Sequence, residues 1–151
     1  MQIDWQLKPF DELTPHQLYA ILQLRNEVFV VEQNCVFQDA DNNDPYAWHL
    51  MGWKDNQLIA YTRLVPAGTI YDEVSIGRVV TSPGVRHMGM GKILMQQSIE
   101  TIYQLFGKVD IKIGAQLYLK KFYESFGFVQ TSDVCMEDGI EHIYMLKLAN
   151  P

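Results

Sequence analysis

Hydrophobic residues recur along the chain with helical spacing in some segments and strand spacing in others. Apolar positions 18, 21, 22, 28 and 29 form a helical stripe, and segment 14–17 before it supplies a capping Thr, a Pro at the first helical position and a Gln that completes a capping box. The runs 47–53 and 58–65 predict a β-hairpin, and the polar segment 38–45 predicts a loop. Further strands are predicted at 2–8, 74–81, 110–115, 128–131 and 141–148, and further helices at 91–106 and 117–126. This order indicates one α+β domain.

The segment 76–92 leads from an apolar strand into a helix through an Arg-x-x-Gly-x-Gly turn formed by Arg86, Gly89 and Gly91. Glycines at a helix start let the backbone approach a ligand closely, because no Cβ intervenes. The first N–H groups of the helix and its dipole favour an anion there, and Arg86 adds a cation. The turn therefore predicts a pyrophosphate site for a nucleotide-like cofactor, with an ordinary structural turn as the alternative.

This turn differs from two familiar nucleotide-binding motifs. A dinucleotide fingerprint requires a glycine where Leu94 stands. A P-loop requires a glycine in place of Arg86 and a Ser or Thr in place of Ile93. The cofactor is therefore expected to be of another kind.

The Arg-x-x-Gly-x-Gly turn resembles the acetyl-CoA signature of the GNAT N-acetyltransferase superfamily. Downstream, segment 116–128 resembles the closing motif of the same superfamily, in which a polar amide precedes a helix carrying Tyr-x-x-x-Gly-Phe. A narrower resemblance to the ElaA-type GNAT proteins rests on segments 24–33, 76–79, 115–116 and 138–142. Usual GNAT chains have Asn where this chain has Gln116, and the ElaA-type pattern shares that departure.

The resemblance implies a single GNAT domain over residues 1–151, with a mixed central β-sheet, a splay between its two central strands and flanking helices. In that fold the pantetheine arm of acetyl-CoA binds the exposed backbone in the gap like an added strand. Core packing is the alternative role for Val79 and Val80. No metal is expected. The cofactor-binding residues implied by position are Val79, Val80, Thr81, Arg86, His87, Met88, Gly89, Met90, Gly91, Lys92, Gln116 and Tyr123.

Acetyl transfer to an amine requires proton removal from the amine and proton donation to the departing thiolate. Tyr123 aligns with the tyrosine that family members place beside the sulfur, so the resemblance implies a general acid there. A phenol with an ordinary pKa of about 10 can serve this purpose. The alternative is a packing aromatic on a helix that already carries Tyr118 and Phe122.

The general base is less evident in the sequence. Some family members carry a glutamate on the central strand where this chain has Ser75, so Glu73, on the same predicted strand face, is the first candidate. His49 is the second, with an ordinary pKa of about 6.5. A solvated Glu73, a structural His49 and deprotonation through water are the alternatives. Glu32 could bind the amine, and His142 could line the acceptor pocket or serve as a structural histidine.

Composition narrows the class of protein. The formal charge is −6 with no basic cluster, which argues against nucleic acid as a partner, and 48% hydrophobic content fits a globular domain. No apolar run is long enough for a membrane span, and the first residues do not have the pattern of a signal peptide. Cys35 and Cys135 have no metal-type spacing. We therefore expect reduced thiols in a cytoplasmic protein without a membrane partner, with a Cys35–Cys135 bridge as the alternative.

These observations predict an acyl-CoA-dependent N-acetyltransferase that acts on a primary amine by direct transfer in a ternary complex. The acceptor could be a small polyamine, an amino sugar or a protein amine, and the family resemblance also allows a homodimer. Two other classes remain open. A protein of this fold could sense acyl-CoA without turnover, or it could be an interaction module that has lost the cofactor.

Overall fold

Eight β-strands form one mixed sheet in the computed structural model, which describes residues 2–150. The strands are β1 (Asp4–Pro9), β2 (Trp48–Lys54), β3 (Gln57–Val65), β4 (Val74–Thr81), β5 (Ile111–Gln116), β6 (Val129–Gln130), β7 (Cys135–Glu137) and β8 (Ile140–Lys147). Their order is β1-β2-β3-β4-β5-β8-β6, and β7 pairs with β8. Neighbouring strands are antiparallel except β4 and β5, which are parallel. The predicted α+β fold class is therefore confirmed.

The α-helices cover both faces of the sheet. They are α1 (Pro15–Arg25), α2 (Met90–Phe106) and α3 (Lys120–Glu124). Helix α1 packs on Met51 of β2 in one apolar cluster. The adjacent residue of β2, Leu50, packs in a second cluster with α2 and α3. Because successive side chains of a strand point to opposite faces, the two clusters lie on opposite sides of the sheet.

Local signals account for the ends of several elements. Thr14 caps α1, and its reciprocal bonds with Gln17 complete the predicted capping box. The β2–β3 turn has positive φ at Asp55 and Asn56, which suits a two-residue hairpin. Helix α2 ends at Gly107, whose φ of +81° is readily available to glycine. These three boundaries agree with the sequence prediction.

Three elements differ from the prediction. The helix that the apolar stripe predicted through positions 28 and 29 changes after Arg25 into a π-helix, Asn26–Glu32, in which the Gln33 N–H bonds to the Val28 carbonyl. The helix expected at 117–126 consists of a 3-10 turn, Leu117–Leu119, followed by the short α3. Strand β7 was not predicted, and positive φ at Asp138 and Gly139 makes the tight turn that joins it to β8.

Candidate active site

The parallel strands β4 and β5 separate soon after they meet. In the described chain their register pairs join residues 74 and 75 to residues 111 and 112, whereas the strands run on to Thr81 and Gln116. Beyond these pairs a cleft of about 390 Å³ opens, lined by residues of both strands. Backbone groups on the two facing edges can there bind an extended ligand as an added strand. This opening is the expected splay.

A β-bulge shapes the β4 side of the cleft. Tyr61 lies opposite Val80 and Arg63 opposite Gly77, so β4 has one residue more than β3 between these pairs. Arg78 within the bulge has a φ of +51°, a left-handed conformation that costs about 1–2 kcal/mol for a residue with a Cβ. Arg78 also lies in the cleft lining. The strained backbone therefore lies directly beside the candidate site.

The turn after β4 has the form expected of an anion site. A 3-10 helix, Pro83–Met88, leads to Gly89 in the left-handed conformation, and α2 begins at Met90. No side chain caps this helix start, so its first N–H groups remain open to a ligand. Gly91 lines the cleft, and a Cβ there would meet the Phe122 ring at an ordinary distance of 3.6 Å. The turn thus presents backbone donors to one end of the cleft.

Arg86 lines the cleft and forms a bidentate ion pair. Its Nη1 donates to Glu32 Oε2 at 2.8 Å and its Nη2 donates to Glu32 Oε1 at 2.6 Å. Both side chains are 41% exposed. The end of the π-helix therefore contacts the candidate phosphate turn, and the cation predicted for a pyrophosphate already has an acidic partner.

A second contact from the same segment reaches the other side of the cleft. The Gln33 and Gln116 side-chain amides bond to each other reciprocally, at 3.3 and 3.2 Å. Gln116 ends β5, and Gln33 directly follows the π-helix. We call the Glu32–Arg86 and Gln33–Gln116 contacts together the strap, because they join the π-helix to both sides of the cleft.

The predicted cofactor-binding residues fall into two groups. Val79, Val80, Thr81, Arg86, Gly91, Gln116 and Tyr123 line the cleft. The side chains of His87, Met88, Met90 and Lys92 lie outside that lining, and Met90 is buried in the core, so their predicted contribution is through the backbone of the turn. Gly89 shapes the turn through its positive φ.

Tyr123 lies on α3 and reaches the cleft from the core. It packs edge-on against Phe122 and Phe128 and also lines the cleft. Burial raises the pKa of its hydroxyl, with a smaller contribution from Tyr118. The ordinary value expected from the sequence therefore does not apply. A neutral phenol in this position can give a proton to a sulfur leaving group.

The two predicted base candidates lie elsewhere. Glu73 is half-buried just before β4, at the strand end remote from the phosphate turn, and outside the cleft lining. His49 is buried, with Nδ1 2.7 Å from the Tyr61 hydroxyl and Nε2 3.0 Å from the Asp44 carbonyl, and burial lowers its pKa. The carbonyl only accepts, so Nε2 carries the proton and Nδ1 accepts from Tyr61. Their catalytic roles stay predictions, and the geometry brings neither residue to Tyr123.

A network of three arginines and three aspartates fixes the loop after the π-helix. Arg25, at the end of α1, is fully buried. It donates to Asp39 at 2.6 Å and to Asp44 at 2.7 Å, and these bonds compensate the cost of burying its charge. The remaining pairs are Arg63 with Asp41 and Asp44, and Arg78 with Asp39 and Asp41. Since Asp39 and Arg78 also line the cleft, the network holds one of its walls.

The β7–β8 hairpin supplies a further wall, and His142, a predicted candidate for lining the acceptor pocket, lies in it. Glu137, Asp138, Ile140 and His142 all line the cleft. The Cys35 thiol lies against this wall and donates to the Asp138 carbonyl at 2.9 Å; both cysteines are free thiols. The Asp-Gly pair at 138–139 is the sequence feature that indicates this hairpin, because such pairs favour tight two-residue turns.

No helix among residues 2–150 is long and apolar enough to cross a membrane. The same residues contain no group of three His, Cys, Asp or Glu side chains arranged to hold a metal ion.

The chain is similar to known proteins over almost its whole length. It matches the family described as "Acetyltransferase (GNAT) domain" over residues 25–149. Protein ElaA of Escherichia coli strain K12 is 43% identical over 147 residues, which cover 96% of each chain.

Two crystal structures share the fold closely. An acyl-CoA N-acyltransferase from Pseudomonas aeruginosa has a TM-score of 0.93 and 41% identity, covering 97% of this chain and 99% of that one. Escherichia coli ElaA has a TM-score of 0.90 and 42% identity, with the same coverage. The similarity therefore includes both sides of the cleft and the β7–β8 hairpin.

Proposed function

The chain belongs to the GNAT acetyltransferase family, and on that basis we propose that it transfers an acetyl group from acetyl-CoA to a primary amine. The observation that carries this proposal is the cleft between β4 and β5, which ends at the uncapped start of α2. An extended pantetheine arm suits the open strand edges, and a pyrophosphate suits the helix N–H groups. The similar acyl-CoA N-acyltransferase of Pseudomonas aeruginosa supports the same reaction type.

Direct transfer requires donor and acceptor in the cleft at the same time. Tyr123 belongs to the core cluster on the α3 face of the sheet, whereas Gly114 and His142 alternate with buried residues of that cluster along β5 and β8. The cleft is therefore lined from both faces of the sheet. This arrangement supports a ternary complex in which the two substrates approach from opposite faces.

The acceptor is proposed to be a cationic amine. Four carboxylates line the cleft, at Glu32, Asp39, Glu137 and Asp138, and the first two are paired with arginines. Glu137 and Asp138 have no arginine partner among the described residues, and they favour an incoming positive charge. A polyamine, an amino sugar and a protein amine all satisfy this requirement.

Calorimetry with acetyl-CoA tests the donor half of the proposal. We expect wild-type protein to bind, and Gly91→Val to lose at least tenfold in affinity, because the side chain would fill the backbone approach to the pyrophosphate. Gly84→Val is the matched control, since Gly84 lies in the same turn with no atom within 4 Å of an added Cβ. Normal binding by Gly91→Val would contradict the phosphate-site assignment.

Thiol release with a panel of polyamines, amino sugars and peptides tests the acceptor half. Turnover with any amine of the panel supports the proposed acetyltransferase activity. Tight binding of acetyl-CoA without turnover across the panel would favour a sensor. Ser75 is the observation behind this alternative, because it is buried at the position where some GNAT family members carry a glutamate. Absence of binding would favour an interaction module.

A further inference from the structure

His142 lies in β8 beside the open end of the cleft. It is the register partner of Gln116, the last residue of β5, and it lines the cleft. Its neighbour Ile143 is fully buried in the core cluster that contains Tyr123. Since strand side chains alternate between faces, His142 and Tyr123 approach the cleft from opposite faces of the sheet.

A backbone carbonyl fixes the tautomer of this histidine. His142 Nδ1 lies 2.7 Å from the carbonyl oxygen of Ile140. A carbonyl only accepts hydrogen bonds, so Nδ1 must carry a proton. In the neutral ring the lone pair is then on Nε2, which is the nitrogen that can take up a proton.

A carboxylate stands beside that second nitrogen. Glu137 Oε2 lies 4.0 Å from His142 Nε2, and Glu137 Oε1 accepts a hydrogen bond of 3.2 Å from the Tyr144 hydroxyl. The charge of Glu137 raises the pKa of Tyr144, which keeps that hydroxyl a donor. The carboxylate is thereby oriented beside the His142 ring.

We propose that His142 is the general base of acetyl transfer and that Glu137 is its positioning residue, an inference that rests on the proposed function. Nε2 takes one proton from the acceptor ammonium, directly or through one water. The nitrogen lone pair then attacks the thioester carbon, the C–N bond forms and the C–S bond breaks. The second proton of the acceptor nitrogen passes to solvent. Tyr123 protonates the sulfur and regains a proton from solvent. His142 then releases to solvent the proton that it took from the ammonium. One proton is released per turnover.

Opposite faces suit these two proton transfers. The acceptor nitrogen and the leaving sulfur are attached to the same carbon, and each needs its own proton partner. Placing His142 on one face and Tyr123 on the other prevents the base from taking up the proton intended for the sulfur. Glu73 and His49 lie outside the cleft lining, so neither competes for this role.

Other titratable and charged groups lie around His142. On its own hairpin these are Cys135, Glu137, Asp138, Glu141 and Tyr144. The other elements that line or adjoin the cleft carry Glu32, Cys35, Asp39, Tyr71, Arg78, Arg86, Lys112, Tyr118 and Tyr123. Glu137 is the carboxylate within 4.0 Å of Nε2 among the described residues.

The decisive measurement is the pH profile of kcat/KM with an amine that wild-type protein acetylates. We expect His142→Asn, whose amide retains a donor for the Ile140 carbonyl, to lower kcat by on the order of a hundredfold and to abolish the acidic limb. Acetyl-CoA affinity should stay within about twofold of wild type. Glu137→Gln should lower kcat with KM unchanged and keep the acidic limb, because the base remains but loses the carboxylate that positions it. Glu141→Gln, an exposed neighbouring carboxylate, is the control and should leave the profile unchanged.

The outcomes separate this inference from the proposed function. If wild type turns over and His142→Asn keeps the acidic limb, His142 is not the base, while the transferase assignment stands. Loss of acetyl-CoA binding or of thermal stability in both His142→Asn and His142→Gln would give His142 a structural role instead. If wild type binds acetyl-CoA but acetylates no amine, the proposed function fails and this inference fails with it.

Nitrogen-15 spectra of the histidine rings give a readout that needs no acceptor. The protein has four histidines, and His142→Asn assigns the signal that disappears. We expect the neutral ring to show a protonated Nδ1 and a proton-free Nε2. The opposite tautomer would leave Nε2 unable to accept a proton and would overturn the inference.

Discussion

At the scale of single residues, Tyr123 combines a packing role with a chemical one. Its ring is held by Phe122 and Phe128, so Tyr123→Phe keeps the packing and removes the proton donor alone. If the hydroxyl protonates the thiolate, kcat should fall by on the order of a hundredfold with acetyl-CoA affinity nearly unchanged. Because burial raises the pKa of this hydroxyl, its ionisation should not limit wild-type activity near neutral pH or slightly above.

Tyr118→Phe is the matched control for this measurement. Tyr118 also lines the cleft but is well exposed, and its variant should turn over like wild type. Wild-type turnover by Tyr123→Phe would make Tyr123 a packing aromatic. A large loss of acetyl-CoA binding would make it a cofactor-binding residue.

The Glu32–Arg86 pair makes a second prediction at this scale. A pyrophosphate at the turn would compete with Glu32 for the Arg86 guanidinium, so Glu32→Gln should tighten acetyl-CoA binding. An exposed ion pair is worth up to about 1 kcal/mol, which corresponds to an increase of about two- to fivefold. Titration calorimetry at low and high salt measures the change, which should shrink at high salt.

A double variant identifies the origin of that effect. In an Arg86→Ala background, Glu32→Gln should no longer change the affinity, because the competition has been removed. If Glu32→Gln weakens binding instead, Glu32 holds Arg86 in place for the phosphate. The prediction that Glu32 competes with the pyrophosphate for Arg86 would then be wrong.

Sequence motifs located part of the site because they are local. Arg86, Gly91, Gln116 and Tyr123 were predicted from two continuous segments, and all four line the cleft. The partner of Arg86 could not be predicted in the same way, since Glu32 lies 54 residues away along the chain. The positions of the base candidates Glu73 and His49 relative to the cleft could not be predicted from local sequence either, because they depend on which strands pair.

At the scale of elements, boundaries set by caps and turns were predicted, and those set by tertiary contacts were not. The capping box of α1 and the end of α2 are determined by residues that are close together in the sequence. The last residue of α1, Arg25, and the bulge residue Arg78 both contact Asp39, which lies 14 and 39 residues away from them along the chain. No periodicity in the sequence encodes those contacts.

The loop held by the arginine–aspartate network should depend strongly on Asp44. Its carboxylate pairs with both Arg25 and Arg63 in a buried setting, so Asp44→Asn should lower the free energy of unfolding by about 3 kcal/mol near neutral pH. Urea denaturation measures this change. Asp72→Asn, at an exposed position, is the control and should change stability by less than about 0.5 kcal/mol.

The same residue predicts an acid-sensitive contribution to stability. Burial alone would raise the pKa of Asp44, but the bonds and charges of Arg25 and Arg63 lower it below its ordinary value. A carboxylate with a depressed folded-state pKa stabilises the fold above its unfolded pKa of about 3.9, and the contribution disappears as the pH falls through the folded value. The gap between wild type and Asp44→Asn should therefore narrow below about pH 4. A constant gap would contradict the ionic explanation.

At the scale of the whole molecule, the order of strands and helices was enough to predict the fold. One parallel pair in an otherwise antiparallel sheet, with α2 connecting its members, follows from the succession of strand, phosphate turn, helix and strand. The walls contributed by the loop at 33–47 and by the β7–β8 hairpin were harder to predict. The loop is irregular and is held by ion pairs, whereas the hairpin is placed by a two-residue turn and by the pairing of β8 with β5.

The two pairs that join β4 to β5 are the register pairs that connect strands β1–β4 to strands β5–β8 among the described residues. A rotation of one half of the sheet against the other would therefore turn about these pairs. Gln116 lies four residues beyond them, or about 13 Å along the strand, so a rotation of about 5° would move it by roughly 1 Å. At that distance the Gln33–Gln116 contact joins the halves, because Gln33 follows the π-helix that packs on the β2–β4 side. Widening the mouth would therefore require the release of this side-chain contact and would leave the hydrogen bonds between strands intact.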